Sequence, residues 1–232
     1  MTRKFPLWLH AALTLAGLVV SIYMIFLYAP EEMTMGEVQR IFYVHVPAAW
    51  VSLIGFLIIF IASIVYLWTR TQFSDELAQA TAEVGFIFCT CVLVTGPLWA
   101  KPAWGIWWTW DARLTLTFLL WLLYVAYLML RNYMVNPGRA ASLCAVVGII
   151  GFVDVLIDYM AIRWWRTQHP QPVILGGPGS GLDPRMLATL LVSWGVFTLL
   201  FFLLLRMRLR LAGLRRELSE IRHFLAFKIS ED

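Results

Sequence analysis

Residues 99–113 read W-A-K-P-A-W-G-I-W-W-T-W-D-A-R and hold five of the chain's 12 tryptophans. Trp104, Trp107, Trp108 and Asp111 are spaced i, i+3, i+4, i+7, so a helical turn would place them on one face. That face would be an aromatic shelf with a carboxylate at its edge. Tryptophan also gathers at membrane interfaces, which is the plainer account of a Trp cluster. A belt does not need so many indoles in one loop ending in an Asp. A large planar ligand does, because stacking on indole gains contact area without ordering long side chains. Trp110 and Arg113 belong to the same stretch and join the candidate set.

Imidazole is the second chemistry. The chain has four histidines. His45 lies in Q-R-I-F-Y-V-H-V-P-A-A-W, where Pro47 suits the first turn of a helix. His45 would then sit at a helix entrance, whose positive end keeps the ring neutral, as a metal ligand must be. A polar residue at an interface is the competing reading. His169 closes R-W-W-R-T-Q-H, and Pro170 pushes it toward extended geometry. His10 falls in the first apolar run and His223 in a basic tail.

The elements that carry these residues follow from hydropathy. Of 232 residues, 61% are hydrophobic and 14% charged; a soluble domain holds about 25% charged residues. The chain therefore reads as an all-α integral membrane protein. Six runs are long enough to span, at about 7–28, 46–69, 82–99, 114–130, 140–162 and 186–205. The third and fourth are short, roughly 26 Å at 1.5 Å per residue, so the Trp segment between them must hug the membrane surface or sink into it. The first run follows Arg3 and Lys4 but lacks an A-x-A-like cleavage site, which reads as a retained anchor. Cys89, Cys91 and Cys144 sit in apolar runs, where thiols act as small hydrophobes. No C-x-x-C-H motif for covalent haem occurs. With both termini cytoplasmic, inner segments hold 12 Lys and Arg and outer segments six, the bias expected of that orientation. The Trp segment, His45 and His169 then share the outer side.

Three further stretches constrain the reading. Asp154 and Asp158 lie four apart in the fifth run, each costing roughly 2.5–3.5 kcal/mol at mid-membrane. They must face the bundle interior, a partner or water, and a structural pairing of Asp158 with Arg163 or Arg166 is the expectation. The Gly-rich stretch after Pro172 lacks the Lys-Ser/Thr of a phosphate cradle, while Asp183-Pro184 suits a cap on the sixth span. Residues 206–232 form a basic amphipathic tail: Leu211, Leu214, Leu218, Ile221 and Leu225 make one stripe, and seven Lys and Arg suit the anionic inner leaflet.

Two outward histidines flanking an aromatic shelf, with Arg40, Lys101, Arg113, Arg163 and Arg166 nearby, suit an iron-bearing planar macrocycle with two carboxylates. The imidazoles would ligate the metal, the indoles would pack on the ring, and the cations would hold the propionates. Zinc fits less well, since two histidines do not supply four ligands.

The segment W-G-I-W-W-T-W-D-A-R-L-T at 104–115 resembles the tryptophan-rich WWD signature of bacterial haem-handling proteins. With H-V-P-A-A-W at 45–50 and R-W-W-R-T-Q-H at 163–169, the whole chain resembles the cytochrome c maturation protein C (CcmC) family, also called haem exporter protein C. The resemblance implies haem b held on the periplasmic side of the inner membrane by two axial histidines, which map onto His45 and His169. It implies transfer of that haem to the periplasmic chaperone CcmE, and association with the ABC-type subunits CcmA and CcmB and the small membrane protein CcmD. Pro170, Gln171, Pro172 and the Gly-rich stretch depart from the family's usual sequence after the second histidine. A transfer platform, not an enzyme, is expected. The rivals are a membrane b-type cytochrome, which usually needs histidines within spans, and a haem permease, which needs a polar path through them.

Overall fold

A computed structural model describes residues 5–169 and 181–231. The elements are α1 (Leu7–Tyr23), a π-helical turn (Met24–Tyr28), a 3-10 turn (Glu37–Ile41), α2 (Phe42–Thr69), α3 (Gln72–Trp104), α4 (Ala112–Tyr133), α5 (Pro137–Trp164) and α6 (Pro184–Glu231). No strand occurs among the described residues, and six helices are long and apolar enough to cross a bilayer. Arg3, Lys4 and residues 170–180, which include Pro170 and most of the Gly-rich stretch, lie outside the described residues, as do the side chains of His223 and Leu225.

Apolar runs of this length become helices because a bilayer interior offers no partner to an unpaired backbone group. Their ends are set by local chemistry. Arg70, at φ 54°, closes α2, with its N–H on the Tyr66 carbonyl at 2.8 Å. The Asn136 side chain caps α5 at the Arg139 N–H, 3.0 Å, ahead of Pro137. Asp183 caps α6 at the Arg185 N–H, 2.8 Å, with Pro184 in first position, as the Asp-Pro pair implies.

Two element boundaries differ from the hydropathy reading. Pro47 is the sixth residue of α2, inside the helix and not in its first turn, because the chain enters through the 3-10 turn. His45 thus lies a turn inside the helix. The third element is not short: α3 starts at Gln72, ten residues before the apolar run, and its 33 residues extend about 50 Å. Hydropathy registers the lipid-facing part only. The preceding turns carry Asp75 and Glu76 and the run's own start carries Glu83, which pair with Arg131, Arg216 and Arg208.

The bundle is built around α2. Gly148 and Gly151 of α5 lie against Ile59 and Phe56 of α2, where added Cβ atoms would come within 2.5 and 2.1 Å. Small residues permit such approach in lipid, where close contact replaces the hydrophobic drive. Tyr124 of α4 crosses Gly85 of α3 and donates to the Ser52 carbonyl at 3.1 Å. The first helix packs on α6 through a Ser21–Ser193 hydroxyl pair at 2.9 Å. His10 closes the inner end of that contact. Its Nε2 meets the Leu199 carbonyl at 3.0 Å and its Nδ1 meets Arg206 at 3.0 Å.

Beyond the bundle α6 runs on without a break to Glu231. The tail is therefore continuous with the sixth span, and Arg208 and Arg216 hold it beside α3.

Candidate functional site

Six alternating helices bring residues 29–41, 105–111, 165–169 and 181–183 to one end of the bundle. His45 is buried there, between α2 and α3. Its Nδ1 lies 2.8 Å from Thr95 Oγ1, which itself donates to the Cys91 carbonyl at 2.7 Å. With its one proton on the Cys91 carbonyl, the Thr95 hydroxyl accepts from His45, and in that arrangement Nδ1 carries the imidazole proton and Nε2 keeps its lone pair. This is the tautomer and orientation that a metal-ligating histidine needs. The ring rests close to α3: a Cβ at Gly96 would lie 3.5 Å from His45 Cε1. Trp99, one turn further along α3, meets the imidazole edge-on at 5.8 Å.

His169 is half-buried, and its N–H donates to Thr167 Oγ1 at 3.1 Å. Its ring and the Arg113 guanidinium both lie within electrostatic range of His45. The two histidines lie 124 residues apart in the chain, and Asp111 ties the backbone beside His169 to the start of α4. The Asp111 carboxylate caps α4 by accepting the Leu114 N–H at 3.1 Å. It accepts the Thr109 hydroxyl at 2.9 Å and, across the site, the Gln168 N–H at 3.2 Å. Burial alone would raise its pKa. The hydrogen bonds from Leu114, Thr109, Gln168 and Thr167 outweigh that and hold the carboxyl below its ordinary range.

The tryptophans do not form one helical face. Gly105, at φ 76°, ends α3 with its N–H on the Lys101 carbonyl at 2.9 Å, and the chain is non-helical until Asp111 caps α4. A left-handed residue interrupts the 3.6-residue period that would have aligned Trp104, Trp107, Trp108 and Asp111. Instead the indoles spread around the rim. Trp108 and Trp110 meet edge to face at 5.7 Å, and each contacts Phe118 of α4. Phe118 stacks on Trp121, which reaches Phe86 in the bundle. Trp107 lies under Lys101 Nζ at 6.0 Å. Trp104, Trp107 and Trp110 are exposed. The Nε1 donors of Trp99 and Trp108 are buried and meet no hydrogen-bond partner among the described residues. Buried donors are rarely left so, and a ligand carboxylate or carbonyl would satisfy them.

Arg113 turns inward. Its Nη1 lies 3.3 Å from the Asp158 carboxylate and also donates to the Asp158 carbonyl, while Thr117 donates to the same carboxylate at 3.4 Å. Asp158 is thus paired with Arg113 and not with the nearer-in-sequence Arg163 or Arg166, because the outer end of α5 packs on α4. Arg163 lies over Tyr159 at 5.2 Å. Arg40 is held by Glu37 and by the Ile25 carbonyl. Asp154 is buried, with one carboxylate oxygen that meets no hydrogen-bond partner among the described residues.

Among the described residues no three His, Cys, Asp or Glu side chains converge on a metal position. Two imidazoles suit an ion that brings its remaining donors with it. Thr95 and Trp99 are the two contributors that sequence reasoning did not single out. Thr95 is one hydroxyl among many on apolar helices, and only its spacing across from His45 in space reveals it.

Comparison with known proteins bears on the whole chain. The family described as Heme exporter protein C matches residues 1–223. The Heme exporter protein C of Bradyrhizobium diazoefficiens is 36% identical over 218 residues, covering 94% of this chain and 80% of that protein. The protein of the same name from Escherichia coli K12 is 33% identical over 188 residues, 81% of this chain and 74% of its own. A putative cytochrome c biosynthesis ccmC-like mitochondrial protein of Marchantia polymorpha is 33% identical over 188 residues, with 80% and 79% covered. On its motifs, its six helices and these similarities, the chain belongs to the Heme exporter protein C family.

Proposed function

We propose that this chain is the haem-handling subunit of a haem export and cytochrome c maturation system. It holds haem b at the periplasmic face of the inner membrane between His45 and His169. It passes that haem to the periplasmic chaperone CcmE, within an ABC-type assembly with CcmA, CcmB and CcmD. Family membership supports the role in haem export and cytochrome c biosynthesis. The observation that carries the ligand assignment is the Thr95–His45 hydrogen bond, which leaves Nε2 unprotonated, with His169 tied in through Asp111.

Each residue then has a physical task. Thr95 fixes the tautomer and aim of His45. Asp111 positions the backbone that carries His169. The Trp99 and Trp108 N–H groups offer hydrogen bonds to the cargo's acidic or carbonyl groups, while Trp104, Trp107 and Trp110 give it apolar contact. Arg113 braces the loop on α5. The exposed indoles leave one side of the site reachable, as transfer to a second protein requires. His10 uses both ring nitrogens between α1 and α6, which disfavours a two-haem electron carrier.

Optical spectroscopy of the purified, haem-loaded chain tests this reading. A low-spin bis-histidine spectrum is expected. It should be weakened or altered by His45→Ala and by His169→Ala, and unchanged by His10→Ala and His223→Ala. A spectrum indifferent to both outer histidines overturns the assignment.

A further inference from the structure

The inner half of α6 carries a seam that the cargo site does not use. Met207, Leu211, Leu214, Leu218 and Ile221 alternate four and three apart, which is the a/d pattern of a coiled coil. All five are between 37% and 55% exposed. The neighbouring helix does not cover them. Leu205 and Leu209 pack into the bundle, and Arg208 and Arg216 reach Glu83 and Glu76 of α3. At 100° per residue that side of α6 is on average roughly 160° away from the seam.

The flanks of the seam choose among possible occupants. Arg208, Arg215 and Arg222 occupy one flank, and Arg210 and Glu217 the other. In a parallel second copy Arg210 would face Arg215 while Glu217 faced Arg222, so the flanks give self-pairing no net drive, whereas an acid-flanked partner meets Arg210, Arg215 and Arg222 favourably. A lipid surface is disfavoured by direction, since α6 continues its own span for about 72 Å, against a hydrocarbon thickness of ~30 Å. From Leu211 inward the helix stands off the bilayer beside α3. We propose that the inner half of α6 forms a two-helix coiled coil with an acidic amphipathic helix of a cytoplasmic-side partner protein. Leucines fill its a and d positions and carboxylates face Arg215 and Arg222. The seam lies at the opposite end of the molecule from His45, so this inference stands apart from the haem reading.

The test uses the full chain in neutral-lipid nanodiscs and two synthetic heptad peptides, both with Leu at a and d. One carries Glu at e and g, the other Lys. The Glu peptide should bind at least about tenfold more tightly, and more weakly as salt rises. Leu214→Glu with Leu218→Glu should abolish that binding. Arg215→Glu with Arg222→Glu should reverse the preference, a gain that misfolding cannot produce. In cells, a photo-crosslinking residue at 214 or 218 should join a segment that maps to an acid-flanked heptad helix. Equal binding of both peptides, or crosslinks to a segment without that pattern, overturns the proposal. So does a dimer of the chain in ultracentrifugation that Leu214→Glu dissolves. A spin label at position 221 that buries in anionic vesicles identifies lipid as the occupant and overturns it too.

Discussion

The Asp111 carboxylate accepts the backbone N–H of Gln168 at 3.2 Å, joining the end of the Trp loop to the segment that presents His169. The same carboxylate starts α4. Asp111→Asn keeps an oxygen for the Leu114 N–H but sets an amide N–H₂ against that of Gln168. Haem affinity should fall about tenfold, since a hydrogen bond to a charged group contributes about 1.5–3 kcal/mol. Helix content should hold. Haem titration beside far-ultraviolet circular dichroism checks both.

The pH dependence of this link has a definite sign. A carboxyl held below its ordinary value of about 3.9 stabilises the fold above that value, and the contribution is lost as pH falls through the lower, folded value. Tryptophan fluorescence of the haem-free chain should stay level from about pH 8 to pH 5 as far as Asp111 is concerned, and change only in stronger acid. In Asp111→Asn that acid-induced step should vanish.

Thr95→Val removes the acceptor for His45 Nδ1–H while keeping the side chain's shape. Outer-shell partners of ligating histidines typically control affinity by 10–100-fold, and a loss in that range is expected. Thr95→Ser should restore most of it. Equal affinity in wild type and Thr95→Val would separate Thr95 from ligation.

The Arg113–Asp158 pair should be structural first. Breaking a buried pair from one side costs about 3–5 kcal/mol, whereas replacing both partners by apolar residues is often neutral. Arg113→Met or Asp158→Leu alone should lower the thermal midpoint in detergent sharply. The double variant should recover most of it. If the recovered protein then retains haem normally, Arg113 does not hold the cargo's carboxylates.

Much of this was legible in the sequence. Long apolar runs with few charges identify membrane helices because the bilayer penalises each charged exception, so six spans emerge from hydropathy alone. Asp183-Pro184 reads as a cap because cap chemistry is local. The shelf of Trp104, Trp107 and Trp108 was not legible, since one left-handed glycine cancels a helical period that the spacing obeys. The partner of Asp158 was missed for another reason. Arg163 and Arg166 are near it in sequence, but packing of α4 on α5 delivers Arg113 from 45 residues away. The start of α3 escaped because hydropathy senses lipid, whereas Gln72–Thr81 is helix held by ion pairs.

The unbroken course of α6 has a mechanical consequence. Its first turn is fixed by Asp183, directly after the segment that follows His169, and its last turns lie on the opposite side of the membrane. A helix is stiff along its axis. A pull of one residue's rise at the cytoplasmic end, 1.5 Å, arrives at Asp183 at nearly full length. Any partner grasping the inner end would thus have a push-rod reaching the cap at Asp183 on the other side of the bundle.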